Sequence, residues 1–326
     1  MTIALTVREE TSQYSQEPPG KIQNPHDKLF KETLGNVDVA RDFLQNYLPT
    51  DTLKMVNTTT LYPEKDSSID KDMKERFSDL LFSAEIAGKE GYIYFLFEHK
   101  SYPDKSVIFQ LLKYMVEIWN TNVTKKQTDH LPVIIPLVIY HGSSEWNHET
   151  RLARMILEYE KSPPAAKRYT PDYEYLLYDL SNYTDDEIKG DARVKIMITL
   201  FRDVQQAKTA QEVLTLIEKA VYYFKELEDK QTGIEYFETA VRYIFNAARD
   251  LSPQDVDTIV QKLETTYSEG SELMMTIADI LHEKGREEGI RLVAIEMLKK
   301  GLSLEFVADV THMDIKEVEK LKEEGQ

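Results

Sequence analysis

Hydrophobic residues recur with two different periods along the chain. The change of period divides the chain into an N-terminal part with both strands and helices and a C-terminal part that is helical. Apolar positions three or four residues apart predict helices, whereas aromatic and β-branched runs bounded by polar turns predict strands. The predicted strands cover residues 58–62, 80–87, 91–97, 132–140 and 173–180; the predicted helices cover residues 24–48 with a break near Gly35, 104–123, 185–206, 209–228, 231–249, 253–267 and 271–300.

The order of these segments predicts a mixed sheet with helices against its faces. A strand at 91–97, a helix at 104–123 and a continuous apolar strand at 132–140 are typical of a parallel crossover. We therefore predict four regions, which are a disordered polar tail over 1–23, an α/β core over 24–182, a helical region over 183–285 and a helical tail over 286–326.

Acidic and basic residues stand at the ends of the two central strands. Asp79 precedes the strand at 80–87, and Glu98 and Lys100 follow the strand at 91–97. If the turn is centred between Lys89 and Glu90, Asp79 lies opposite Lys100, and Asp79, Glu98 and Lys100 share one face of the hairpin. Two carboxylates beside a lysine are the groups from which a metal-dependent phosphodiesterase builds its site.

Composition narrows the possible chemistry. The 326 residues include no cysteine, which excludes disulfides, thiolate metal sites and cysteine nucleophiles and fits a reducing cytoplasm. No apolar run approaches the length of a membrane helix, so we expect a cytoplasmic protein without a membrane partner. The formal net charge of −17 is unusual for a protein that binds nucleic acid, and residues 201–326 carry −10 of it.

The chain contains the sequence blocks HDKLFK at 26–31, RFSDLLF at 76–82, YFLFEHKS at 94–101 and PLVIYHG at 136–142. In this order they resemble the recombination-promoting nuclease family, also called putative transposases. The family belongs to the PD-(D/E)XK nuclease superfamily. Ser78 stands where relatives often have a proline before the motif aspartate.

The resemblance implies a restriction-endonuclease-like αβββαβ core, followed by a mostly helical C-terminal region, and Mg²⁺-dependent cleavage of DNA. By position, Asp79 and Glu98 match the family's metal ligands, together with the backbone carbonyl of His99, and Mn²⁺ is an alternative ion. Lys100 matches the residue that orients the attacking water. The implied partner is DNA in a recombination or mobile-element system.

Three further residues are candidates for contact with substrate. Gln110 and Tyr114 lie four residues apart on the helix at 104–123, and we place them on its polar side. His141 follows the buried strand at 132–140. Each has an alternative interpretation, as a surface residue or as a hydrogen-bonded structural residue.

Two alternatives stay open. A non-catalytic DNA- or protein-binding regulatory protein could use the same fold, and RNA cleavage would use the same metal chemistry. The tail at 286–326 weakly resembles a helix-turn-helix, with short helices at 304–310 and 315–322 and caps at Ser303 and Asp314. Its second helix is rich in glutamate, so packing, or a homo-oligomer formed through the C-terminal helices, is the preferred interpretation.

Overall fold

The computed structural model describes residues 25–64, 78–98, 104–125, 127, 129–142, 144–227, 230–247 and 289–324, with single residues between 255 and 286. These residues belong to two compact units, one of residues 24–278 and one that includes residues 279–326. The predicted tail at 1–23 lies outside the described residues, as does most of the chain between 248 and 288. None of the described helices is long and apolar enough to cross a membrane.

The larger unit contains a five-stranded sheet and the helices around it. Short 3₁₀ segments at Leu152–Met155, Tyr159–Lys161, Leu180–Asn182, Asp185–Glu187 and Val204–Gln206 connect the main elements. In chain order those elements are α1 (Pro25–Leu34), α2 (Val37–Tyr47), α3 (Thr50–Met55), β1 (Val56–Pro63), β2 (Ser78–Ile86), β3 (Lys89–Glu98), α4 (Val107–Lys125), β4 (Val133–Tyr140), α5 (Pro164–Lys167), β5 (Leu176–Asp179), α6 (Ala192–Asp203), α7 (Ala210–Phe224) and α8 (Lys230–Ala247).

The strand order in the sheet is β1-β2-β3-β4-β5. Strands β1, β2 and β3 are antiparallel neighbours, whereas β4 and β5 run parallel to β3. Helix α4 is therefore the connection of a parallel crossover, and the predicted mixed sheet with a helical C-terminal region is confirmed.

Local signals determine where the first helices begin and end. The predicted break near Gly35 is confirmed, because the side chain of Asn36 accepts hydrogen bonds from the amides of Asp38 and Val39 and starts α2. Helix α4 begins at Val107, three residues later than predicted. Asp104 determines this start, since its carboxylate accepts the Ser106 amide at 2.8 Å.

The predicted register of the central hairpin is wrong by four residues along β3. Asp79 pairs with Leu96, and Leu81 pairs with Tyr94. The turn consists of Ala87 and Gly88, whose φ angles are 51° and 77°, values typical of the tight type I′ hairpin turn. The prediction used two glycines as the turn, but the second of them, at position 91, lies within β3.

The two faces of the sheet are covered by different helices. On one face, Leu81, Tyr94 and Val138 form a core with the buried side of α4. On the other, Phe95 contacts Phe82 of β2 and Phe43 of α2 edge to face. Because the register error is an even number of residues, it leaves every side chain of β2 on its predicted face.

Helices α6, α7 and α8 belong to the same compact unit as the sheet. The hydroxyl of Tyr236 in α8 lies 2.7 Å from Thr33 Oγ1 in α1 and donates to the carbonyl of Arg193 in α6. Residues 182 and 183, between which a region boundary was predicted, both lie in this unit, and the division into four regions stays a prediction.

The smaller unit contains a helix at 289–299, α9 (Leu304–Thr311) and α10 (Ile315–Glu324). Ser303 caps α9 by accepting the Phe306 amide at 3.3 Å, and Asp314 accepts the Lys316 amide at 2.8 Å. Both predicted caps are thus present. A small core joins the three helices, formed by Ala294, Val307, Val318 and Leu321.

Candidate functional site

The backbone brings the two motif carboxylate positions to the same end of the sheet. Asp79 stands near the start of β2 and Glu98 at the end of β3, and Asp79 pairs with Leu96. Since residues two apart on a strand share a face, Asp79, Leu96 and Glu98 occupy one face by register. In an antiparallel pair such diagonal positions are about 7–8 Å apart. The spacing suits two carboxylates that share one ion.

Much of the predicted site lies outside the described residues. The structure gives the backbone but not the side chains of Asp79 and Glu98, and it describes neither His99 nor Lys100. Among the side chains that it does describe, no three histidine, aspartate, glutamate or cysteine residues are grouped to hold a metal. The metal ligands and the role of Lys100 therefore stay predictions.

Helix α4 runs antiparallel to β3 across this face. The Tyr92 hydroxyl donates to Asn122 Oδ1 at 3.1 Å, and the ring of Tyr94 lies 5.0 Å from that of Tyr114. Moving along β3 toward Glu98 thus corresponds to moving back along α4 toward its first turn. The beginning of α4 lies beside the end of the sheet that carries the motif.

This direction locates Gln110 and Tyr114, and it corrects their predicted placement on the polar side of the helix. Tyr114 is buried against the sheet. The amide nitrogen of Gln110 is also buried, and it has no hydrogen-bond partner in the described part of the chain. A buried donor without a hydrogen-bond acceptor lowers the stability of the folded state, so its presence calls for an explanation. Gln110 lies one turn closer than Tyr114 to the start of α4.

The structure separates His141 from these residues. Its ring stacks on Phe201 of α6, with centroids 4.9 Å apart. Its Nε2 atom lies 3.1 Å from His26 Nδ1 in α1 and 3.4 Å from the Tyr243 hydroxyl in α8. His141 is therefore buried among α1, α6 and α8, whereas Gln110 and Tyr114 belong to the α4 side of the sheet.

A carboxylate that the sequence analysis did not single out lies at the same end of the sheet as Glu98. Asp179 ends β5 and pairs with Tyr140, which in turn pairs with Glu98. Its oxygens accept the amides of Ser181 and Trp146 at 3.1 and 3.2 Å. These bonds hold the loops after β4 and β5, so we assign Asp179 a structural role.

Burial raises the pKa of several tyrosines in and around β5. Burial raises the pKa of Tyr175 to about 12. Burial also raises the pKa of Tyr178 above its ordinary range. These phenols consequently remain neutral at physiological pH, and they are structural hydrogen-bond donors.

Comparison with known proteins identifies relatives over nearly the whole chain. Recombination-promoting nuclease RpnC of Escherichia coli strain K12 is 27% identical over 305 residues, 91% of this chain and 96% of the relative. Recombination-promoting nuclease RpnA of the same strain is 26% identical over 296 residues, 90% and 96% of the two chains. Inactive recombination-promoting nuclease-like protein RpnE, also from that strain, is 27% identical over 301 residues, 89% and 95%. No solved structure matches.

A family profile covers the sheet and the helices packed on it. The matched region, residues 24–270, begins one residue before α1 and continues beyond α8. It includes every sequence block on which the resemblance was based, and the mixed α/β fold is consistent with the PD-(D/E)XK superfamily. The chain belongs to the family described as "Putative transposase, YhgA-like".

Proposed function

We propose that this chain is a metal-dependent endonuclease that hydrolyses phosphodiester bonds in DNA during recombination. The observation that supports this most directly is the register of β2 and β3, by which Asp79 and Glu98 share a face at one end of the sheet. The names of the relatives RpnC and RpnA, both recombination-promoting nucleases, support the same reaction class.

The donor set fits a hard divalent cation. Asp79, Glu98 and the backbone carbonyl of His99 would supply only oxygen ligands, which Mg²⁺ prefers, and Mn²⁺ accepts similar ligands. When bound, the ion would polarise the scissile phosphate and lower the pKa of a coordinated water. Lys100 would orient the attacking water and stabilise negative charge as it develops on the phosphate.

Gln110 is our candidate for contact with the nucleic acid. Its buried amide nitrogen has no partner among the described residues, and it lies toward the end of α4 that is next to the motif. A phosphate or base oxygen would satisfy this donor. Tyr114 would support Gln110 through its packing on Tyr94 rather than through contact with substrate. The position of His141 favours a structural role.

The test is cleavage of supercoiled plasmid by the full chain with Mg²⁺, Mn²⁺, Ca²⁺ or EDTA. We expect nicking with the first two only, and its loss in Asp79→Ala and Glu98→Ala. The melting temperature of these variants should stay the same or rise, because each change relieves repulsion between two carboxylates. Glu85→Ala is the matched control, since Glu85 is an exposed carboxylate of β2 that is not assigned to the site.

A non-catalytic DNA- or protein-binding regulator is the second candidate, and the relative RpnE, named as inactive, favours it. Unchanged cleavage in Glu98→Ala would refute our assignment. If the unmodified chain binds plasmid but never cuts it under any ion, the regulatory role replaces the enzyme. Cleavage of RNA in preference to DNA would keep the metal chemistry and change the substrate.

A further inference from the structure

Three polar atoms from distant parts of the chain converge behind the end of β4. His26 Nδ1 lies 3.0 Å from Tyr243 Oη and 3.1 Å from His141 Nε2. The third side of this triangle, from Tyr243 Oη to His141 Nε2, measures 3.4 Å. His141 is 2% exposed and Tyr243 is 1% exposed. His141 and Tyr243 are therefore almost entirely shielded from water, whereas His26 is half-buried.

Hydrogen bonds alone do not account for the closed triangle. A ring nitrogen has either one in-plane lone pair or one N–H, so it can point toward a single partner. At least one of its three contacts must therefore lack a proton. Three potential ligand atoms that lie within 3.4 Å of one another are also close enough to bind a single cation.

The dimensions of the triangle match those of a transition-metal site. A point equidistant from the three atoms lies about 1.8 Å from each in their plane, and about 2.0 Å when it is displaced slightly out of that plane. Protein zinc sites have Zn–N distances of about 2.0–2.1 Å. We propose that His26, His141 and Tyr243 bind a transition-metal ion of the Zn²⁺ class, at a site distinct from the Asp79 and Glu98 positions.

The donor types explain why this would not be a second magnesium site. Imidazole nitrogens suit Zn²⁺ and its neighbours, whereas Mg²⁺ prefers oxygen. The third donor is a phenol, so only two of the three ligands, both histidines, are of a side-chain type that most metal sites use. The side-chain nitrogen of Gln205 lies 3.4 Å from His141 Nε2.

A metal at this position would stabilise the packing of the helices on the sheet. It would connect α1 with the end of β4 across 115 residues, and with α8 across 217 residues. Because the three segments come together only in the folded chain, ion binding would favour the folded state. This inference does not depend on the proposed nuclease activity.

The test is equilibrium dialysis of tag-free, chelator-treated full-length protein against Zn²⁺, with excess Mg²⁺ present to occupy all-oxygen sites. We expect one zinc ion per chain. His26→Gln, His141→Gln and Tyr243→Phe should each weaken binding by at least about tenfold, since even second-shell changes cost about 10–100-fold. His130→Gln is the control, because His130 is exposed and precedes β4, whereas His141 follows the opposite end of that strand.

Substitution by Co²⁺ provides a measurement that needs no variant. We expect the intense visible bands of a four-coordinate cobalt site in the unmodified protein, and their displacement by Zn²⁺. Circular dichroism of each variant shows whether weaker binding reflects a lost ligand or a lost fold. The proposal is overturned if the unmodified chain retains no zinc and shows no such bands, or if the three folded variants bind zinc as tightly as the control.

Discussion

Four oxygen atoms form a continuous chain of short contacts that joins three helices of the larger unit. Thr33 Oγ1 in α1 lies 2.7 Å from the Leu29 carbonyl and 2.7 Å from Tyr236 Oη in α8. Tyr236 Oη in turn lies 3.0 Å from the Arg193 carbonyl in α6. Thr33 is fully buried and Tyr236 is 6% exposed. These contacts test whether the helical region and the first helix form one folding unit.

Counting protons gives the magnitude. The two hydroxyls supply two protons for three oxygen–oxygen contacts, so one contact always lacks a proton. Both carbonyls also accept the usual amide hydrogen bond of their own helices. Removing either hydroxyl therefore costs one hydrogen bond and leaves no buried donor unpaired. The net value of such a bond is about 1 kcal/mol.

We predict that Tyr236→Phe and Thr33→Val each lower the free energy of unfolding by about 1 kcal/mol, and that the double variant lowers it by about 2 kcal/mol. The coupling energy between the two residues should accordingly be near zero, although their oxygens are 2.7 Å apart. If each hydroxyl bonded only to the other, the coupling energy would instead be about 1 kcal/mol, because each single substitution would remove the same hydrogen bond.

Equilibrium unfolding in urea measures these values. The fluorescence of Trp119 and Trp146 reports on the larger unit, to which both belong, and the denaturant slope should not change between variants. Tyr169→Phe is the matched control, since Tyr169 is 90% exposed, and it should be neutral. A coupling energy above about 0.5 kcal/mol would refute the proton count. A neutral Tyr236→Phe would refute the packing of α8 on α1.

Three further predictions concern charge, backbone and the C-terminal unit. Burial raises the pKa of Asp203, but hydrogen bonds from Arg202 and Lys219 outweigh it and lower that pKa overall. Its stabilising effect is thus present above the ordinary aspartate range and lost as pH falls through the folded-state pKa, so Asp203→Asn should flatten the acid side of a plot of melting temperature against pH. Ala87→Asn should stabilise the protein by up to about 1 kcal/mol in urea unfolding, because Ala87 has a φ of 51° that asparagine tolerates better. Deleting residues 286–326, with seven basic and ten acidic residues, should not weaken DNA binding across a salt series, whereas a DNA-binding helix-turn-helix would lose affinity.

Features that depend on neighbouring residues were accessible from the sequence. The interruption of the first helix follows from Gly35 and from Asn36, which caps the next helix within three residues. Ser303 and Asp314 start the two C-terminal helices in the same way. The strand, helix and buried strand that form the parallel crossover follow from period and apolar content. In each case the contacts that matter are made within one turn or one strand.

The candidate site was predictable only in part. The pairing of Asp79 with Leu96 depends on a two-residue turn at Ala87 and Gly88, and two glycines near the same position suggested a different centre. Gly91 belongs to β3 instead, where an added Cβ would lie 3.0 Å from the carbonyl of Val133 in β4. Ile86 of β2, whose Cδ1 would lie 2.7 Å from that Cβ, and the sequence-distant strand β4 together explain why that residue is glycine.

By itself, the sequence determined the element types, their order, the helix caps and the family, because these depend on periodicity, local hydrogen bonds and ordered motifs. Only the tertiary structure decided that Tyr114 faces the sheet, that α8 packs on α1, and that His141 joins His26 and Tyr243. These outcomes depend on which faces meet after the chain has closed loops of 100 residues and more. The pattern of apolar and polar residues along the chain shows which residues tend to be buried. It does not show which distant segments pack together, and that packing selects the partners of each residue.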